Sequence, residues 1–513
     1  MKIKKNNLIQ IVIIVFMISV FFGCSGGGID AGNETEFEID SWARSTTSGT
    51  SQTTYFYDSA IDSQGNIYAV GYQTPGGKIG YGQDVATNAT YSGNNAIMVK
   101  FNQDGNALWA KAVSGSLSNN FTSIAIDSND NIYVVGSVAG NGAFNYGGSV
   151  TSARGISPSN NNGILLKYNS EGVAQWARLA TASTYSTKSN EYKDVAVDKS
   201  DNVYVVGYQF NASYTYGSIS VTSGSDTWQS PLLMKYKSNG DIIWAKSSET
   251  GSATASFTAA AVDSNGNIYV VGIQTNNKVI YRTSSEVSAT GAHTINNAVL
   301  VKYNSGGVAQ WARTATITGD ADQSWFDDIT VDSSNNIYVA GRQRGSGSFK
   351  YSSGAKGVSG GYSDGYNAVL IKYNSSGSVQ WARTTKTAAT SWFQGIAIDS
   401  GNIYVGGYHN GKAAYTFCGS SDANNKATQR GGHTGSNSVL AMYNSSGNPQ
   451  WVQSAITSVN ASEFKTVAAR RGSVYGVGYQ SGNSSVSYSI SDAEEVSTSG
   501  ASSSANAVIV RFR

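Results

Sequence analysis

Four carboxylates crowd one short stretch of this 513-residue chain: Asp320, Asp322, Asp327 and Asp328. Acidic groups this close can hold a hard cation, move a proton, or accept hydrogen bonds from a hydroxyl-rich ligand. Trp325 stands among them, and Trp392 occupies the matching place 67 residues later. Aromatic faces beside carboxylates suit a sugar or a basic protein partner, because the ring covers apolar CH surface while the carboxylates accept hydrogen bonds. The expectation is therefore a ligand-binding site at Trp325, Trp392, Asp320, Asp322, Asp327 and Asp328, with calcium in that loop as the minor alternative. His409, Cys418 and His433 are spaced too widely for a zinc pattern, and His293 is the third and last histidine. With three histidines in the chain a His-based catalytic dyad is poorly supported, so no catalytic residue, metal or other cofactor is assigned.

The elements that must position these residues repeat. Trp recurs seven times, from Trp42 to Trp451, at intervals of 67 to 70 residues. A glycine closing an Ile/Val-Tyr-Val run recurs seven times as Gly71, Gly136, Gly207, Gly272, Gly341, Gly407 and Gly478. Each unit reads as four strands. In the second they are Ile124-Ala125-Ile126-Asp127 (A), Asn131 to Gly136 (B), Ile164 to Tyr168 (C) and Val173 to Arg178 (D). Short turns rich in Asp, Asn, Ser and Gly join A to B and C to D, supplying the positive φ a tight hairpin needs. Four antiparallel strands per repeat make a propeller blade. An aromatic six residues before the strand-A Asp position occurs in all seven units, from Phe56 to Phe464, and is expected to pack between blades. The repeated Asp (Asp62, Asp127, Asp198, Asp263, Asp332, Asp399) lacks the EF-hand order and reads as an Asx turn. Basic residues on strand D (Arg44, Arg178, Arg313, Arg383) are read as edge protection, with stacking on the nearby Trp as a further possibility.

The chain ends set the phase of the ring. The repeats open on a lone strand D (Ile39 to Arg44) and close on a strand C (Val508 to Phe512). Pairing the two completes blade seven and removes an exposed edge. The expected fold is thus an all-β, seven-bladed propeller spanning 38–513. The unit resembles the bacterial SBBP-type β-propeller repeat, on Asp62-Ser63-Gln64-Gly65-Asn66-Ile67-Tyr68-Ala69-Val70-Gly71 and on Ala261 to Gly272. Blade seven departs from it with Arg470-Arg471-Gly472-Ser473. The resemblance implies a fold and says little of activity, since propellers host unrelated functions.

Lys2, Lys4 and Lys5 precede an apolar run, Leu8 to Phe22, that is short for a membrane span and ends at Gly23-Cys24. This resembles a bacterial lipobox. It implies a signal peptide over 1–24, lipid on Cys24, a flexible tether over 25–37, and a membrane contact at the cell envelope, at the outer membrane or cell surface. The charge balance of 35 basic against 33 acidic residues gives no polyelectrolyte surplus, which argues against nucleic acid. The function expected is a non-catalytic binding or scaffold propeller. Its protein or glycan ligand would sit on the rim of the long B-to-C connections, where Phe144-Asn145-Tyr146 and Tyr214-Thr215-Tyr216 supply further aromatics. The alternatives are an enzyme of lyase or glycosidase type and a purely structural envelope protein. Several acidic or basic side chains converging on the ring axis would favour the enzyme.

Overall fold

A computed structural model describes residues 41–513 except 50–51, 76, 149, 155–159, 183–188, 211–212, 223–228, 250–253, 276, 319–320, 346, 353–356, 388, 419–425, 491–493 and 513. Cys24 and Asp320 lie outside the described residues, as does the whole segment read as signal peptide and tether. Asp322 falls within a strand, but its side chain is not described.

Seven antiparallel blades of four strands, each in the order A-B-C-D, form the ring. In blade 6 the sheet runs on from strand D, Pro449–Thr457, into the hairpin of Ser485–Ser489 and Glu495–Ser499. In blade 1 the strands are Thr54–Ile61, Ile67–Gln73, Asn95–Phe101 and Ala107–Ala112. Strands B and C lie between neighbouring blades, so both faces are buried and the sequence runs continuously apolar, as in Ile132 to Val135. Strand D is the outer edge and alternates: in Ala174–Leu179, Ala174 is buried and Gln175 exposed. The seven aromatics one turn of the repeat apart, Phe56, Phe121, Tyr192, Phe257, Phe326, Phe393 and Phe464, are all buried between blades.

The ring closes as the phase of the repeats requires. Trp42–Ser45 pairs antiparallel with Ala505–Phe512, with Trp42 opposite Arg511 and Ser45 opposite Val508. The seam then receives the same fastening as three other joints. Trp42 Nε1 donates to Gln103 O at 2.8 Å, and Arg44 donates to Gly105 O and Asp104 O in the C-to-D turn of blade 1. Arg178, Arg313 and Arg383 grip the corresponding turns of the following blades while stacking on their own Trp at 5.0 to 5.1 Å. These arginines are inter-blade clasps, a role beyond edge protection. Glycine completes the joint: Gly447 has φ +75°, and an added Cβ would lie 2.7 Å from the Trp381 ring.

In blades 1 to 5 the A-to-B turns are Asx turns. Asp399 of blade 6, read the same way in the sequence, instead sits in a tighter turn opposite Asn402 and accepts from Gly472 N of blade 7. Asp127 Oδ1 accepts from the N–H of Asn129 and of Asn131, both at 2.9 Å, and Tyr133 O–H donates to its other oxygen at 3.0 Å. In blade seven, where the Asp is missing, Arg470 and Arg471 instead donate across the seam to Ile61 O and Ser63 O of blade 1.

The long B-to-C connections differ from expectation. They fold into hairpins whose aromatics turn inward: Phe144, Tyr146, Tyr214 and Tyr216 are all buried. Tyr216 O–H donates to Gln209 Oε1 at 2.9 Å, and Tyr281, Tyr351 and Tyr488 make the same bond to Gln274, Gln343 and Gln480. The Tyr-rich segments are therefore core of the outer blade and not a ligand surface. Their alternation Tyr-x-Tyr, with a polar residue between, is the pattern of a half-buried strand.

Candidate functional site

The repeated strand-B glycine builds the site. Opposite it, strand A carries a β-bulge in every blade; in blade 3 the register slips between Tyr192 and Asp194, leaving Lys193 as the extra residue. Bulges occur at Phe56/Asp58, Phe257/Ala259, Phe326/Asp328, Phe393/Gly395 and Phe464/Thr466, and opposite Val135/Gly136 in blade 2. The bulge pushes the strand-A carbonyl onto the glycine: a Cβ on Gly207 would lie 2.0 Å from Glu191 O, and one on Gly71 1.9 Å from Tyr55 O. Only glycine fits there. An extra residue re-aims side chains, and here two residues per blade face the axis instead of one.

Two rings result. The bulged residues are Tyr57, Thr122, Lys193, Thr258, Asp327, Gln394 and Lys465, and the residues after them are Asp58, Ser123, Asp194, Ala259, Asp328, Gly395 and Thr466. All but Gly395 line an axial cavity of about 100 Å³. It lies near the start of strand A, so its mouth opens on the rim of the long connections.

Three carboxylates from alternate blades meet in the inner ring. Asp58 Oδ2 accepts from Ile124 N at 2.9 Å, Asp194 Oδ2 from Ala260 N at 2.8 Å, and Asp328 Oδ2 from Ile396 N at 2.8 Å. Each therefore ties its blade to the next through a backbone N–H. Ser123 Oγ donates to Asp194 at 2.6 Å, and Thr466 Oγ1 donates to Asp58 at 3.1 Å. Burial, then the neighbouring Asp58 charge, pushes the Asp194 carboxyl up to about 7. Burial raises Asp58 as well, and burial with the Asp194 charge raises Asp328 well above the usual carboxylate range.

The outer ring carries the mouth. In blades 3 and 7 a lysine lies over a tyrosine and pairs with a glutamate: Lys193 with Glu191 at 2.7 Å and Tyr208, Lys465 with Glu463 at 2.6 Å and Tyr479. Blade 5 inverts the polarity. Asp327 takes the bulge, and Arg342 of strand B pairs with it at 3.1 Å. The Arg342 guanidinium carbon lies 3.3 Å from the Trp392 ring centre and 4.4 Å from that of Trp325. Trp392 Nε1 donates to Asp327 Oδ2 at 2.7 Å. Burial raises the Asp327 carboxyl to about 6, against the pull of Arg342 and the indole N–H.

The structure thus brings Trp325, Trp392 and Asp327 together around Arg342, and sends Asp328 to the axis with Asp58 and Asp194. Arg342, Asp58 and Asp194 were not singled out in the sequence. Aligning the repeats on the buried aromatic gives the signal for them, because the second position after it reads Asp, Ser, Asp, Ala, Asp, Gly, Thr where a propeller axis needs small residues. From Trp325 the half-buried aromatics continue through Tyr366, Trp392, Tyr408, Tyr479 and Tyr55 to Tyr57 and Tyr72. Tyr55 meets Tyr479 at 4.5 Å and Tyr72 at 5.3 Å. Blades 5, 6, 7 and 1 form an aromatic wall. Blades 2 and 4 carry Asn120, Ser137 and Ser256 at the same positions.

His409 replaces the buried glutamine that five of the other blades carry, Gln73, Gln209, Gln274, Gln343 and Gln480. Its ring lies 4.2 Å from that of Tyr415, it bonds Ser454 Oγ at 3.1 Å, and burial lowers it to about 4. Cys418 ends the strand Ala414–Cys418, and its side chain is not described. Among the described residues no group of three or more His, Cys, Asp or Glu is placed to hold a metal ion.

No family model matches the chain. An uncharacterised WD repeat-containing protein of Acanthamoeba polyphaga mimivirus is 25% identical over 387 residues, 63% of this chain. The match spans only 27% of that protein's length. Among solved structures, the polysaccharide lyase Uly1 is similar at 10% identity and a TM-score of 0.41, with 89% of each chain covered. The phage phi92 endosialidase is similar at 10% identity and a TM-score of 0.38, covering 92% of this chain and 69% of the other. YCF48 bound to D1 peptide is similar at 9% identity and 0.38, covering 92% and 94%.

Proposed function

We propose that this chain is a glycan-binding propeller whose ligand lies across the axial mouth, held at the bacterial cell envelope by lipid on Cys24. The observation that carries the binding role is the divergence of the mouth from the repeat. Every blade carries the strand-A bulge over the strand-B glycine, yet the three mouth positions vary around the ring, blades 3 and 7 alone being alike, and gather aromatics on one side. Packing common to all blades does not require Trp325, Trp392 or Tyr55. Half-buried rings beside paired charges offer stacking faces and hydrogen-bonding edges together, which suits a sugar chain. The envelope role is supported by the basic start, the apolar run and Gly23-Cys24, and the repeat's resemblance to the SBBP type agrees with a bacterial source.

The test is a glycan array read with the wild type and the Trp325→Ala/Trp392→Ala double variant. Loss of binding at an unchanged melting temperature supports the site. A double variant that binds every glycan as the wild type does places it elsewhere, and capture of proteins alone makes the ligand a protein. Fatty-acid labelling that tags the wild type and Cys24→Ala equally removes the anchor.

A second reading has its own observation. Asp58, Asp194, Asp328, Lys193 and Lys465 converge on the axis, the feature set out above as favouring an enzyme. A carboxyl raised to about 7 can serve as a proton donor near neutral pH. Binding is preferred because each axial carboxylate already accepts a backbone N–H of the next blade, and each lysine is paired. Cleavage of a polysaccharide by the wild type but not by Asp194→Asn would reverse that preference.

A further inference from the structure

We infer that blade 2 opens a second compartment of the mouth, a cleft that takes one neutral, hydroxyl-rich sugar residue; this rests on the glycan reading of the mouth. The cleft exists because blade 2 is small where its neighbours are large. Its mouth positions are Asn120, Thr122 and Ser137, flanked by Tyr55, Tyr57 and Tyr72 in blade 1 and by Glu191, Lys193 and Tyr208 in blade 3. The missing side-chain volume leaves a cleft of about 260 Å³, which shares Thr122 and Lys193 with the axial cavity. That is just under the roughly 300 to 1,000 Å³ of pockets for drug-sized ligands, a size for a single ring rather than an extended chain.

The walls are amides and hydroxyls with unused capacity. Asn120 Oδ1 accepts from Ser137 Oγ at 2.5 Å, which leaves the Asn120 amide nitrogen for a ligand. Asn161 Nδ2 donates to Glu191 Oε1 at 3.0 Å, which leaves its carbonyl. The Asn94 side-chain amide has no partner among the described residues. The two charges present, Glu191 and Lys193, neutralise each other at 2.7 Å. A carboxylate or sulfate ligand would meet no unpaired cation and would lie against Glu191. Tyr192 is buried and Tyr208 already covers Lys193, so the cleft offers hydrogen bonds and no stacking platform. The mouth thus divides recognition: the aromatic wall covers CH faces, and the blade 2 cleft reads hydroxyls.

Affinity electrophoresis tests this with full-length protein. Gels would contain a neutral polysaccharide (xylan, laminarin or galactomannan) or an acidic one (alginate, pectate or chondroitin sulfate). A neutral polysaccharide should retard the wild type. Asn120→Ala should weaken that retardation about tenfold, the scale of one or two neutral hydrogen bonds, and Asn161→Ala, at an exposed position, should weaken it with unchanged melting. Ser137→Leu should fill the cleft and abolish it. Retardation by acidic polysaccharides alone overturns the inference, as does full affinity in Asn120→Ala and Asn161→Ala. In both cases the glycan reading of the mouth survives. A wild type that runs freely through every gel overturns that reading and the inference with it.

Discussion

The clasped joints between blades and the axial mouth are made by the same seven repeats, and they treat the repeat in opposite ways. At four of the seven joints an Arg of one blade grips the C-to-D turn of the next with nearly the same distance, closing seam included. At the mouth blades 3 and 7 share one set, Glu-Lys-Tyr, and the other five blades each present a different three. Likeness among these joints follows from geometry, because a closed ring needs compatible interfaces all round. Divergence at the mouth has no such cause. In a repeat protein, positions that break the repeat while the scaffold beneath them holds it are where ligand contacts are expected.

The largest test of this contrast removes a joint altogether. Deleting residues 38–46 takes away Trp42–Ser45 and leaves Ala505–Phe512 as an open apolar edge. Aggregation, or a loss of stability far above the roughly 1 kcal/mol of a typical point change, should appear in size-exclusion chromatography and thermal melting. A soluble monomer with unchanged melting would mean that the seam is not a joint like the others.

The bulge that supports the mouth comes next. Gly207→Ala forces a Cβ to within 2.0 Å of Glu191 O and should cost about 3 kcal/mol or more in denaturant unfolding. Gly401→Ala is the control, a turn glycine at φ +82° with open space around it, and should cost only about 1 kcal/mol. Equal losses would contradict the account of the strand-B glycine.

Much of this was legible in the sequence, and the boundary has a physical basis. Blade number, strand order, closure and the buried aromatic register all follow from local periodicity and from the phase at which the repeats open and close. The bulge does not, because two-for-one pairing is a relation between strands A and B that neither strand states alone. The bulge in turn decides that Asp327 and Asp328 both face the axis, and it recruits Asp58 and Asp194 from distant repeats. Arg342 escaped notice for a similar reason: it follows Gly341 on strand B, and only the fold sets it between Trp325 and Trp392. The Tyr-rich connections misled because length and aromatic content resemble a binding loop until their hairpin pairing is known.

A smaller effect separates the axis from the joints by pH. Asp194 titrates near 7 in the folded chain and near 3.9 when unfolded. The folded state therefore binds the extra proton between those values, and its advantage shrinks as pH rises from about 4 to about 7. The wild type should lose a few degrees of melting temperature over that range. Asp194→Asn should lose less, since its amide can still accept from Ala260 N and donate to Ser123. A steeper loss in the variant would contradict the raised carboxyl.

The smallest effect is at a single clasp. Arg313→Ala removes bonds to Gly377 O and Ser376 O and should cost about 1 kcal/mol in denaturant unfolding, with ligand binding intact. Weakened binding in that variant would blur the division between joint and mouth.

A crystal structure of the chain with a bound neutral oligosaccharide tests the central claim most directly. The account predicts density across the axial mouth, against Trp325 and Trp392 and reaching the blade 2 cleft beside Asn120. Density on the Asx-turn face, or on the outer edge of a blade with the mouth left clear, would contradict it.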